Sequence, residues 1–211
     1  MKNDPHAGGR VLTAGKPLAQ AAGAVILLHG RGGSAEDILS LAAPMNAPNL
    51  AFLAPQAAGN TWYPNSFLAP RETNEPWLTS ALNRITTLLA ETGLPPERVV
   101  LAGFSQGACL ASTYVASHPA RYGGMIALTG GIAGPPGTKF NYAGDLGGMP
   151  ALLLSGVPDP HIPWERVEET AELLSAMGAK VTMRQYPGRP HTVSMEEIKL
   201  AHDLLAAAFP L

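Results

Sequence analysis

Cysteine is nearly absent from this 211-residue chain, where Cys109 stands alone. A single thiol excludes an intrachain disulfide and the common cysteine-rich zinc sites. Charge is scarce as well: Asp, Glu, Lys and Arg make up 14% of the residues, and the formal net charge is −2. With no basic stripe, a nucleic-acid partner is not expected. Long apolar runs are missing too. Ala21–Leu28 falls far short of the ~18 residues that a membrane-spanning helix needs, so stable membrane insertion is not expected. The opening residues MKNDPHAGGR carry charge and proline where a secretory signal carries an apolar stretch, and a cytoplasmic location is expected. No HExxH, CxxC, phosphate loop or dinucleotide fingerprint occurs, so neither a metal nor another cofactor is expected.

Glycine (23 residues) and proline (20) are, by contrast, abundant. Together they make about a fifth of the chain, above ordinary usage but below the low-complexity range, and they read as punctuation between apolar segments. The length suits one domain over residues 1–211, able to bury a full core. What recurs along the chain is an apolar run followed by an amphipathic one. Ala24–His29 reads as a strand buried on both faces, and Leu50–Ala54, Arg98–Gly103, Gly124–Leu128 and Ala151–Ser155 read as further strands. Lys180–Tyr186 alternates like a strand near one sheet edge, and Arg10–Ala14 is expected to add an antiparallel edge strand. Helices are expected from Ser34, from Pro76 up to Gly93, over Gln106–Ser117, over Pro163–Met177, and from Ser194 through Leu205. Strands alternating with helices imply a mostly parallel sheet covered on both faces, with function on the loops at the carboxyl ends of its strands.

The sharpest local signal is Gly103-Phe104-Ser105-Gln106-Gly107, a GxSxG pattern between a strand and a helix. Such a turn projects the serine from the sheet edge, and glycines on both sides let the neighbouring backbones pass. A serine hydroxyl needs a base, and in this architecture the acid and then the histidine follow the serine in the chain. His6, His29 and His118 come too early. His202 lies within the last helix, and His161 lies only two residues beyond Asp159. His191, on the loop between the last strand and the last helix, remains as the base. Asp145 sits in a glycine-rich loop and Asp203 in a helix, which leaves Asp159, just past a strand, to orient the imidazole. Donors for the oxyanion are expected from the backbone N–H of Gln106 and from the loop His29-Gly30-Arg31-Gly32-Gly33, with Arg31 N–H the best candidate. The Arg31 side chain is a second option, for an acidic substrate. His29 reads as a structural hydrogen bonder near the turn, and Cys109 as a small buried hydrophobe.

These pieces together resemble the α/β-hydrolase superfamily and, within it, the phospholipase/carboxylesterase family that includes the acyl-protein thioesterases. LLHGRGG looks like that family's oxyanion loop, GFSQGA like its nucleophile turn, Gly156…Asp159-Pro160-His161-Ile162-Pro163 like its acid segment, and Tyr186-Pro187-Gly188…His191 like its histidine loop. Ser155 and Arg189-Pro190 depart from the family pattern without removing a reacting group. The resemblance implies a small enzyme without a large cap domain. It also implies hydrolysis of small carboxylic esters, thioesters or lysophospholipids through a Ser105 acyl-enzyme.

The substrate walls are expected on loops. Trp62, Tyr63 and Phe67 in the long segment after Leu50–Ala54 are the main candidates, with Ile132 and Ile162 adding apolar surface. Whether the irregular segment 131–149 acts as a lid stays open. The expected partner is a small-molecule ester, with a homodimer left open. The competing reading is a non-catalytic small-molecule binding protein on the same scaffold, because a fold does not by itself establish catalysis.

Overall fold

A computed structural model describes residues 4–210 of the chain. Seven strands form one sheet: β1 (Val11–Gly15), β2 (Gly23–Leu28), β3 (Leu50–Pro55), β4 (Val99–Phe104), β5 (Gly124–Leu128), β6 (Pro150–Val157) and β7 (Lys180–Pro187). Their order across the sheet is β1-β3-β2-β4-β5-β6-β7. β1 pairs antiparallel with β3, and every other pairing is parallel. The central strands are apolar without alternation because both of their faces are covered; β2 and β3 are buried at every position. β7 is mostly exposed, as an edge strand is.

The helices are α1 (Ala35–Leu39), α2 (Ala42–Met45), α3 (Trp77–Thr92), α4 (Gln106–Ser117), α5 (Trp164–Ala176) and α6 (Met195–Ala208). They divide the core in two. On one face α3, α4 and α5 bury residues such as Ile85, Leu110 and Leu174 against Ile26, Leu101 and Leu153. On the other, α1, α2 and α6 bury Ile38, Met45 and Ile198 against Val25, Phe52 and Leu154. Among the described residues no helix is long and apolar enough to cross a membrane.

The element boundaries follow local chemistry. Ser34 caps α1: the Asp37 amide donates to its hydroxyl, and the Asp37 carboxylate accepts from the Ser34 amide. Asp thus fills the role that Glu or Gln usually holds. The single helix expected from Ser34 is broken into two short ones, because Pro44 has no N–H to offer the Ser40 carbonyl and crowds it. Gly93 closes α3 in the left-handed conformation, with φ 65°. A full capping box, Ser194 with Glu197, starts α6. The strand order reverses between β2 and β4, which diverge to either side. Open α/β sheets place ligands at the carboxyl ends of such a switch point, and here those ends lead into His29–Arg31 and Ser105.

Candidate active site

Ser105 sits between β4 and α4 at φ 54° and ψ −118°. Few side chains tolerate that backbone, and it persists because the surroundings enforce it. The Ser105 amide donates to the Leu128 carbonyl of the neighbouring strand at 3.0 Å. A Cβ on Gly107 would run into the Leu28 carbonyl, and one on Gly103 into the Gly107 carbonyl. Only glycine at both positions lets α4 drop this close to β2.

The three residues singled out from the sequence converge. Ser105 Oγ lies 2.8 Å from His191 Nε2, and His191 Nδ1 lies 2.8 Å from Asp159 Oδ2. A carboxylate only accepts, so Nδ1 carries the ring proton and Nε2 is left to accept from the serine hydroxyl. The other Asp159 oxygen, Oδ1, accepts from the backbone amides of His161 and Ile162, both at 2.9 Å. Burial works to raise the Asp159 pKa, but the imidazole and the two amides outweigh it and hold the carboxyl below its ordinary value.

The loop after β2 abuts the turn that carries Ser105. A Cβ on Gly30 would lie 3.4 Å from that of Ser105, so the peptide leading into Arg31 runs beside the serine hydroxyl. The Arg31 guanidinium is turned the other way. It donates to the carbonyls of Pro64 at 2.7 Å and Asn65 at 2.5 Å, and to Thr61 Oγ1 at 3.3 Å. Its fork therefore ties the loop after β2 to the segment after β3 and is occupied by loop acceptors, not held ready for an acidic substrate. Gln106 adds a second tie that the sequence did not announce. Its buried side-chain amide accepts from the Trp62 amide at 2.9 Å and donates to the Tyr63 carbonyl at 2.8 Å.

A cleft of about 440 Å³ opens at Ser105. Tyr63, Phe67 and Ile162 line it, as expected, together with Asn65, Phe104 and His161. Two expected wall residues do not. Trp62 is fully buried, with its indole N–H donating to the His29 carbonyl at 2.9 Å and its ring between those of His6 and His29. Ile132 is also fully buried; its amide donates to Thr170 Oγ1 and its carbonyl accepts from buried Arg166. Both are taken up by the scaffold because burying their full apolar surface, with every polar atom paired, is worth more than exposing part of it at a wall.

The histidines set aside from the sequence have structural roles. His29 donates from Nδ1 to the Gly30 carbonyl and accepts the Ala57 amide at Nε2. His202 donates from Nδ1 to the Met45 carbonyl. His161 is an exception, reaching the cleft with its ring edge-on to His191 at 5.0 Å. The Phe104 ring packs against the same imidazole, 5.1 Å away. Neither carries a sequence signal beyond its place in a motif. Burial pushes the Cys109 thiol up to about 12, so it stays protonated at neutral pH.

Arg189, noted above as a family departure, lies under the His191 loop. Its guanidinium donates to Thr129 Oγ1 at 2.7 Å and faces the fully buried Glu197 carboxylate at 3.2 Å. The loop is thereby anchored to the end of β5 and the start of α6.

Among known proteins, the chain is similar over 94% of its length to a phospholipase/carboxylesterase from Dyadobacter fermentans, at 44% identity and a TM-score of 0.90, covering 96% of that chain. It is 30% identical over 122 residues to acyl-protein thioesterase 1 of Gibberella zeae, covering 57% of this chain and 52% of that one. The first curated relatives are thus matched over about half their length. An acyl-protein thioesterase 1 homolog from Dictyostelium discoideum is 26% identical over 215 residues, covering 92% of this chain and 94% of its own. The family description Phospholipase/Carboxylesterase matches residues 12–208, and the chain belongs to that family.

Proposed function

We propose that this protein hydrolyses small carboxylic esters or thioesters through a covalent intermediate on Ser105. One observation carries the reading: hydroxyl, imidazole and carboxylate lie in a single relay, with both contacts at 2.8 Å. Ser105 Oγ attacks the acyl carbon while its proton passes to His191 Nε2. Asp159 holds the ring in the required tautomer and stabilises the imidazolium. The carbonyl oxygen becomes an oxyanion between the backbone N–H groups of Gln106 and Arg31, and the positive end of α4 adds to its stabilisation. The C–O or C–S bond then breaks, and Nε2 returns the proton to the leaving alcohol or thiol. Water activated by the same imidazole attacks the acyl-enzyme, releasing the acid and restoring the serine.

The cleft of about 440 Å³, walled by Tyr63, Phe67 and Ile162, favours small acyl groups. Cys109 is no rival nucleophile, since its thiol stays protonated. The test is turnover of p-nitrophenyl acetate together with labelling by a fluorophosphonate. Ser105→Ala is expected to abolish labelling and to lower kcat on the order of 10^4-fold or more. Unchanged turnover in that variant would overturn the proposal. A folded wild-type protein that accepts no probe would instead favour the non-catalytic binding reading.

A further inference from the structure

A second cavity, of about 360 Å³, adjoins the cleft. The two linings have Gly30, Arg31, Phe104 and His191 in common, so the cavities meet at the imidazole and the oxyanion loop. The cleft alone is lined by Ser105, by Gln106 and, one turn further along α4, by Cys109. The second cavity alone is lined by Ile38 and Leu41 on one side and by Thr192 and Val193 on the other. Its wall is the direct continuation of the chain beyond His191.

A substrate bridging the two would be oriented by the chemistry. Its acyl carbon must bond to Ser105 Oγ, and its leaving atom must stand within a hydrogen bond of His191 Nε2, which supplies the proton. The acyl portion therefore belongs to the cavity that contains Ser105. The departing portion belongs to the cavity that contains His191 but not Ser105.

We propose that this second cavity is a leaving-group subsite and that it selects esters and thioesters whose alcohol or thiol portion is bulky, apolar and uncharged, such as an aryl group. The inference rests on the acyl-enzyme reading above. Ile38, Leu41, Val193 and the Phe104 ring supply the apolar surface. The acidic group on the lining is Asp37, whose Oδ2 is already engaged by the Ser34 amide and hydroxyl at 2.9 and 2.8 Å. The Arg31 donors are engaged by the Pro64 and Asn65 carbonyls and are not offered to an anion in this cavity. A phosphate-bearing leaving group would meet the Asp37 carboxylate and a guanidinium whose donors are already engaged, and is disfavoured.

The experiment compares phenyl acetate, 2-naphthyl acetate and phenyl butyrate, so that leaving group and acyl chain vary separately. Val193→Trp and Leu41→Trp fill the cavity from opposite walls. Each is expected to lower the 2-naphthyl/phenyl ratio of kcat/KM on the order of tenfold, mainly through KM, and to leave the butyrate/acetate ratio in place. A measurement on wild-type protein guards against misfolded variants: after Ser105 is capped with a small methylphosphonate, 2-naphthol should still bind, read by its fluorescence. An unmoved naphthyl/phenyl ratio, a shift confined to butyrate, or loss of naphthol binding on capping would overturn the subsite. If wild-type protein neither turned over any of the three esters nor accepted the phosphonate, the hydrolase reading itself would be what failed.

Discussion

At Asp159, burial and three hydrogen-bond donors pull the pKa of one carboxyl in opposite directions, and the donors win. The group therefore stays ionised well into acid. Its value lies below the ordinary one, so it contributes stability above that ordinary value, and the contribution is lost only as pH falls through the lowered one. An amide at this position keeps the size but offers Nδ1 of His191 either a donor or a neutral oxygen, and the ring is free to take the wrong tautomer. Asp159→Asn is expected to lower kcat on the order of 10^4-fold with little change in KM, measured with p-nitrophenyl acetate under saturating conditions. Residues of this kind are legible in the sequence, because order along the chain and position after a strand leave few candidates. Trp62 is not legible in the same way. An aromatic on a loop reads equally as wall or brace, and what decides is the hydrogen bond from its indole to the His29 carbonyl, made across 33 positions.

Boundaries of elements follow from short-range chemistry. The strand beginning at Gly124 and the helix Gln106–Ser117 fall where the apolar pattern puts them. The break between α1 and α2 is written in Pro44, yet it shows only when the backbone accounting is followed residue by residue. The start of α6 joins two jobs. Ser194 caps the helix through the Glu197 amide, while the Glu197 carboxylate accepts from the Ser194 amide and faces Arg189 beneath the His191 loop. Ser194→Ala is expected to destabilise the protein by about 1 kcal/mol in urea unfolding. Because the cap and the His191 loop share Glu197, kcat should fall by more than that loss of stability alone would cause. An unfolding midpoint equal to that of wild type would contradict the role assigned to the cap. The Arg189 hub could not have been read beforehand, since it joins the end of β5, the start of α6 and the His191 loop only after folding.

Across the whole molecule, two neutral histidines tie distant segments together. His6 is buried between the Trp62 and Trp77 rings. It accepts the Ala58 amide at Nδ1 and contacts the Trp62 carbonyl through Nε2, and His29 holds the adjoining Ala57 amide. Burial lowers the pKa of both. Below the ordinary value of about 6.5 the unfolded chain therefore binds protons that the folded chain refuses. Stability should fall as pH drops from that value toward the lowered ones and level off beneath them. The melting temperature measured from pH 7.5 to 5 is expected to decline, and less steeply in His6→Gln, whose amide can donate to Trp62 and accept from Ala58. A flat profile in wild type would contradict this.

The left-handed backbone at Ser105 has an evolutionary edge to it. Relieving a non-glycine residue from such a conformation is worth roughly 1–3 kcal/mol, so Ser105→Gly is expected to melt at a higher temperature than wild type while being inert. A laboratory selection that rewarded heat resistance alone, with turnover unscreened, would tend to drive out the very side chain that the proposed reaction cannot do without.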